Sequence, residues 1–173
     1  MDAPGRTADI AVTIRSGDWT RACPEAAAAA ESAARLALLR ATDAPAIGQG
    51  RGGIIIDITL TDDGEQQRLN RDYRGQDRPT NVLAFPGADP ELKLPPGVPA
   101  MLGDVVLALA TIRREADEQQ KPVADHLRHL VVHGVLHLLG YDHQTETDAA
   151  AMEAREIAIL AELGVPDPYR DTI

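Results

Sequence analysis

Three histidines in one short stretch are the residues best suited to do chemistry in this chain. His133, His137 and His143 follow the spacing His-x3-His-x5-His. On an α-helix the first two would lie one turn apart, about 6 Å along the axis, and would point to the same side. Two imidazoles placed in this way can bind one metal ion at about 2.0–2.1 Å each. The spacing therefore predicts a metal site that begins on one helix.

A glycine between the second and third histidines would let the chain reverse. Gly140 stands where the helix is expected to end, and glycine readily adopts the left-handed conformation that is common there. Such a reversal would bring His143 back as a third ligand. Three neutral imidazoles leave a fourth tetrahedral position for water, which is typical of a catalytic zinc site rather than a structural one.

Two other roles for these histidines stay open. They could be hydrogen-bonded core residues, although three at this spacing disfavour that role. A structural zinc site needs a fourth protein ligand, which Asp142 could supply, whereas the only cysteine, Cys23, is distant in sequence. The remaining histidines, His126 and His129, are expected to be solvated or structural.

Length and composition describe one ordinary globular domain. The chain has 173 residues, of which 44% are hydrophobic and 25% charged, so it can form one proper core but hardly two. We expect a single domain over residues 1–173. No apolar run approaches the roughly 18 residues of a transmembrane helix, the N-terminus lacks the apolar stretch of a signal peptide, and one cysteine is typical of the reducing cytoplasm.

The charge is distributed unevenly. A net charge of −10 argues against broad, non-specific nucleic-acid binding, which depends on neutralising phosphates. Between residues 68 and 78, however, four arginines stand against two aspartates. The sequence therefore excludes an extensive basic surface but leaves room for a local basic site.

The hydrophobic pattern predicts an α+β domain with a small sheet and helices packed on it. Strands are expected at 8–14, 54–60, 81–85 and 103–109, and helices at 25–40, 62–73, 110–119, 123–139 and 146–163. Thr61 and Thr145 are the expected N-caps of the second and last helices, and 87–103 is expected to be an irregular loop. Apolar residues nearly all round the 123–139 helix predict that it is buried and central.

A peptidase is one candidate for the chemistry. The spacing fits the zinc-protease pattern H-E-x-x-H-x-x-G-x-x-H, in which the glutamate is the general base. Gly134 occupies the glutamate position here. Loss of a general base costs about 10²–10⁴ in rate, so the sequence disfavours a peptidase.

Three motifs together resemble the YbeY family. They are HGVLHLLGYDH, the segment NRDYRGQDRPTNVLAFP from Asn70 to Pro86, and LGDVV from Leu102 to Val106. The family comprises bacterial single-domain, metal-dependent endoribonucleases that act in ribosomal RNA maturation, including that of the 16S 3′ end, and in ribosome quality control. The resemblance runs in order from about residue 54 to residue 160 and implies a mixed four-stranded sheet.

The resemblance also implies the site. His133, His137 and His143 would bind one Zn²⁺ per chain with water as the fourth ligand, and Arg74 would be the functional arginine. RNA with single-stranded regions would be the substrate, and the small ribosomal subunit or its proteins would be partners. The chain departs from the family at Ala84, where relatives commonly carry serine.

Physical chemistry is consistent with that assignment. A zinc ion held by three histidines can polarise a phosphate and lower the pKa of water towards about 7, so a glutamate base is less essential. Arg74 could bind a non-bridging oxygen with its planar guanidinium, although by itself it would be interpreted as a solvated loop arginine. Asp142 and Glu156 are candidates for orienting a ligand histidine, and Tyr73 and Tyr141 for stacking on unpaired bases.

One alternative function belongs to a different class. The protein could be a metal-stabilised ribosome-assembly factor whose main work is binding. Its acidic surface would then contact basic ribosomal proteins rather than RNA.

Overall fold

Four strands and six helices make up the computed structural model, which describes residues 8–41, 53–87, 98–141 and 144–169. The strands are β1 (Ala8–Ile14), β2 (Ile54–Thr61), β3 (Val82–Pro86) and β4 (Ala100–Ala108). The helices are α1 (Asp18–Ala22), α2 (Ala26–Arg40), α3 (Asp63–Arg74), α4 (Leu109–Glu118), α5 (Val123–Leu138) and α6 (Glu146–Glu162).

The strands form one mixed sheet in the order β1-β2-β4-β3. β1, β2 and β4 are parallel, and β3 runs antiparallel to β4 at one edge. Alternate β2 residues, Ile56, Ile58 and Leu60, are fully buried, as expected for a strand with one face against helices. The predicted α+β class and mixed four-stranded sheet are confirmed.

Helix α5 lies at the centre of the domain. It contacts α2, α4 and α6 as well as β3 and β4, and most of its side chains are buried. An amphipathic helix would cover one neighbour, whereas a helix that is apolar nearly all round can be enclosed on several sides. The predicted central helix is therefore confirmed, and it carries His133 and His137.

Several predicted boundaries need correction. Asp62, not Thr61, caps α3, because its carboxylate accepts a hydrogen bond from the Glu65 amide at 2.7 Å, while Thr61 ends β2. β4 begins at Ala100 rather than at 103, because a register shift against β2 between Ile55 and Ile56 interrupts the alternation. Short helix α1 was not predicted, and Thr145 caps α6 as expected.

Most of the predicted irregular loop at 87–103 lies outside the described residues, which omit 88–97 and also 42–52. The assignment of all 173 residues to one domain stays a prediction. Among the helices of the described ranges, none is long and apolar enough to cross a membrane.

Gly134 brings α5 close to the sheet. A Cβ at this position would lie 2.9 Å from Cγ1 of Val105 in β4 and 3.5 Å from Cγ2 of Val82 in β3. The first distance is too short for two carbon atoms, and a short, buried valine cannot easily move away. The short distance between α5 and the sheet is therefore possible only because residue 134 has no side chain.

Replacing this glycine should destabilise the protein relative to a matched helical glycine. Gly134→Ala and Gly64→Ala both gain the helix propensity of alanine, but Gly64 would meet only an Asp62 oxygen, at 3.4 Å. We expect Gly134→Ala to have a free energy of unfolding about 1–3 kcal/mol below that of Gly64→Ala, the usual cost of overpacking a core. Urea denaturation of both variants measures the difference, and equal stabilities would contradict the tight contact.

Candidate active site

His133 and His137 lie one turn apart on α5 with their rings almost parallel. The interplanar angle is 5° and the ring centroids are 6.4 Å apart. Both side chains are partly buried and line one cleft, called here the β3–α5 cleft, whose lining residues are Arg74, Val82, Leu83, Ala84, His133, Gly134 and His137. The predicted one-turn arrangement of the first two histidines is confirmed.

A buried carboxylate fixes the ring of His133. Glu156 of α6 is completely buried, and its Oε1 is hydrogen-bonded to Nδ1 of His133. Because a carboxylate only accepts hydrogen bonds, this contact selects the tautomer with a proton on Nδ1. A metal at this residue would therefore be bound through Nε2.

The other carboxylate oxygen of Glu156 is also occupied. Oε2 accepts a hydrogen bond from the Tyr169 hydroxyl and lies 3.3 Å from Nε2 of His129. Burial by itself would raise the pKa of Glu156, but the hydrogen bonds from His129, His133 and Tyr169 outweigh it and lower the pKa to about 2. Glu156 is thus a fixed negative charge next to Nδ1 of His133.

Arg74 lies in the last turn of α3 rather than in a loop. Gly75 ends the helix in the left-handed conformation, with φ of 70°, and Nη2 of Arg74 donates a hydrogen bond to the Ala84 carbonyl at 2.7 Å. The guanidinium also lies over the Phe85 ring, 5.6 Å from its centroid. Arg74 is exposed overall, but these two contacts hold its guanidinium at the β3–α5 cleft. The expectation that it lies in a loop is wrong, and its functional role stays a prediction.

Ala84, at the position where the resemblance implied a serine, does not disturb this contact. The backbone carbonyl of residue 84 accepts the hydrogen bond from Arg74, and a backbone acceptor does not depend on the side chain. The buried Ala84 side chain itself lines the cleft.

His126 has a structural role, as expected. It is buried, and its Nε2 lies 2.9 Å from Oε1 of Glu115, which also accepts a hydrogen bond from Asn81 at 2.9 Å. Burial lowers the pKa of His126, so the ring is neutral near pH 7. His129 is not solvated, because it lies between Glu156 and the edge of the Tyr169 ring, 5.5 Å between centroids.

The third predicted ligand cannot be placed. His143 and Asp142 lie outside the described residues. Within those ranges, no group of three or more His, Cys, Asp or Glu side chains is arranged to hold a metal. Gly140 does adopt a positive φ of 103° after α5, as the predicted chain reversal requires. The roles of His143 and Asp142 therefore stay predictions.

The chemistry of two described side chains suits a zinc ion. Two imidazoles share one side of a helix, and a carboxylate holds the outer nitrogen of one of them, which is the usual support of a zinc-binding histidine. Residue 134, where the zinc-protease pattern has its glutamate, cannot hold that side chain in this fold, because a Cβ there would collide with Val105. The structure thus strengthens the sequence-based argument against a peptidase.

Sequence reasoning missed Tyr169 as part of this cluster. The residue comes after α6 and belongs to none of the quoted motifs. Its approach to Glu156 depends on how the chain turns after α6, a tertiary feature without a sequence signal.

Comparison with known proteins gives a consistent family match. A family model described as endoribonuclease YbeY matches residues 25–164. An endoribonuclease YbeY from Rhodopseudomonas palustris is 54% identical over 81% of this chain and 74% of its own length. Those from Paramagnetospirillum magneticum and Rhodospirillum rubrum are each 51% identical over 94% of this chain, covering 96% and 82% of their own lengths.

A solved structure supports the fold. The solution structure of a Thermotoga maritima protein matches 94% of this chain and 99% of its own, with a TM-score of 0.50 and 20% sequence identity. At this identity the likeness concerns the fold alone.

If Glu156 supports a metal ligand, its charge should matter for zinc binding. Glu156→Gln is expected to weaken zinc binding about 10–100-fold, the usual effect of losing an outer partner of a ligand histidine. Glu153→Gln is the matched control, because Glu153 lies on the same helix and is exposed. Competition with a chromophoric chelator measures both affinities, and a Glu156→Gln variant that binds zinc as tightly as the parent would remove Glu156 from this role.

Proposed function

The chain belongs to the endoribonuclease YbeY family, and from this premise we propose that it is a zinc-dependent endoribonuclease that cleaves single-stranded segments of ribosomal RNA precursors. The observation that carries the proposal is the β3–α5 cleft, in which His133 and His137 share a wall with Arg74. A metal-ligand pair and a fixed cation in one cleft suit hydrolysis of a phosphodiester.

We propose that His133, His137 and His143 hold one zinc ion. When bound, zinc supplies a Lewis acid that polarises a phosphoryl oxygen and makes water more acidic. The protein's own contribution is orientation: Glu156 keeps the proton of His133 on Nδ1 and holds the ring in place. Gly134 also lines the cleft, and without a side chain there α5 can lie close to β3 and β4.

Arg74 would stabilise the negative charge that develops on the phosphate. Its guanidinium is planar and always protonated, and it can bind two phosphate oxygens at once. The hydrogen bond to Ala84 and the contact with Phe85 hold it in one place before substrate arrives. A charge fixed in advance needs little reorganisation during the reaction, which is the source of its catalytic value.

The cleft favours an unpaired strand. Tyr73 precedes Arg74, is 72% exposed, and is held by an edge contact with Phe85, 5.6 Å between ring centroids. An exposed aromatic ring beside a phosphate-binding arginine can stack on a base that is not paired, a contact worth about 1–3 kcal/mol. The overall charge of −10 would meanwhile discourage binding to nucleic acid elsewhere on the surface.

The same charge supports a second candidate function, in which the protein is a zinc-stabilised assembly factor that binds without turnover. Basic proteins of the small ribosomal subunit would be its partners. For the endoribonuclease we also propose a role in ribosome quality control and a cytoplasmic location. The endoribonuclease would cleave RNA and would need Arg74 to do so. The assembly factor would bind its partners without cleaving RNA.

Two variants should separate metal binding from cleavage. His137→Ala is expected to lose zinc and RNA cleavage together, because it removes a ligand. Arg74→Glu is expected to keep zinc but to lower the cleavage rate by about 10²–10³, the usual cost of removing one group that stabilises developing charge. Metal content per chain and cleavage of an RNA with single-stranded ends are measured for both.

Arg68→Glu is the control for charge. It makes the same change on the same helix, but Arg68 does not line the β3–α5 cleft. If Arg68→Glu and Arg74→Glu lower the RNA cleavage rate equally, general electrostatic attraction to RNA explains the effect. Full activity in Arg74→Glu would remove Arg74 from the mechanism.

A further inference from the structure

Glu156 is a completely buried carboxylate that must be held by hydrogen bonds. Removing a carboxylate from water is unfavourable unless hydrogen bonds replace the lost solvent. Its Oε1 faces His133, and its Oε2 faces Tyr169 and His129. The orientation of Oε1 towards His133 therefore depends on what holds Oε2.

Tyr169 is the closer of the two partners of Oε2. Its hydroxyl donates directly to the carboxylate, whereas Nε2 of His129 is 3.3 Å away, near the limit of a useful hydrogen bond. Burial raises the pKa of Tyr169, and the hydrogen bond to Glu156 raises it further, so the hydroxyl keeps the proton that it donates. Tyr169 thus restrains this oxygen together with His129.

The turn after α6 brings Tyr169 back to Glu156. Gly164 ends the helix with a positive φ of 78°, and the Val165 amide donates to the Leu160 carbonyl at 2.9 Å. Val165 is buried, and the Asp167 carboxylate accepts a hydrogen bond from the Tyr169 amide at 2.8 Å. Prolines on both sides of Asp167 restrict the backbone further.

We propose that Tyr169 is a positioning residue of the metal site, acting through Glu156 on His133. Its hydroxyl fixes the carboxylate, and the carboxylate fixes the tautomer and the orientation of the His133 ring. This inference rests on the proposed function, because it assigns Tyr169 to the zinc site proposed above. Tyr169 lies beyond residues 25–164, the part of the chain that the family model matches.

The alternative is that Tyr169 only tethers the chain terminus to the domain. A tether would change stability but would leave the ring nitrogens of His133 unchanged. The two roles therefore differ in a property of His133 that can be measured without metal.

Tyr169→Phe removes the hydroxyl and keeps the ring against His129. In the metal-free full-length protein, nitrogen-15 NMR of His133 should show an Nδ1-protonated ring in the parent and a mixture of tautomers in the variant. Zinc affinity, measured by chelator competition, should fall about tenfold, the lower end of the effect of losing an outer partner. Asp167→Ala, which frees the Tyr169 amide, should change both properties in the same direction.

Ser32→Ala is the control, because it also removes a hydroxyl, from an exposed residue of α2 whose hydroxyl bonds to the Ala29 carbonyl and not to Glu156, and its zinc affinity should equal that of the parent. Unchanged His133 signals and unchanged zinc affinity in Tyr169→Phe would overturn the proposal, whether or not the variant unfolds more easily. If the parent itself binds no zinc, the proposed metal site fails, and the NMR comparison alone decides the role of Tyr169.

Discussion

The close approach of α5 to the sheet is the constraint on which the site depends. Gly134 lets the helix lie against Val105 of β4, and this depth brings the cleft walls together. His133 and His137 come from the helix, while Ala84 and its neighbours come from β3. Because the helix is enclosed by five other elements, its histidines are carried by a helix that is packed on several sides, as a preorganised site requires.

Charge is organised around the same helix. Behind His133 lies Glu156, a buried carboxylate held by three polar side chains. On the cleft side lies Arg74, held by a backbone carbonyl and an aromatic ring. The two charges have different proposed tasks: the carboxylate supports the imidazole of His133, and the guanidinium would face the substrate in the cleft that His133 also lines.

Much of the fold could be predicted from the sequence because hydrophobic periodicity is a local signal. The strand over 54–60 and the central helix both follow from it, and Thr145 was identified as a cap from its own neighbours. The start of β4 was missed because a register shift breaks the alternation. Thr61 was chosen over Asp62 because both residue types cap helices, and only the length of β2 distinguishes them.

In the site, too, features that follow from local sequence could be predicted and contacts between distant segments could not. The one-turn spacing of His133 and His137 is a helical property, so the sequence could specify it. The contact of Arg74 with Ala84 joins α3 to β3, and that of Tyr169 with Glu156 depends on the turn after α6. Such contacts arise from tertiary packing, which no single stretch of sequence encodes.

The most direct test of the central claim joins metal content to cleavage in one preparation. The protein is purified without chelator, its metal is quantified, and it is incubated with a structured RNA that has single-stranded ends, before and after metal removal. We predict about one zinc per chain, as for a single three-histidine site, with cleavage that stops on chelation and returns when zinc is added. Bound zinc without cleavage under any condition, or cleavage that survives complete metal removal, would contradict the account.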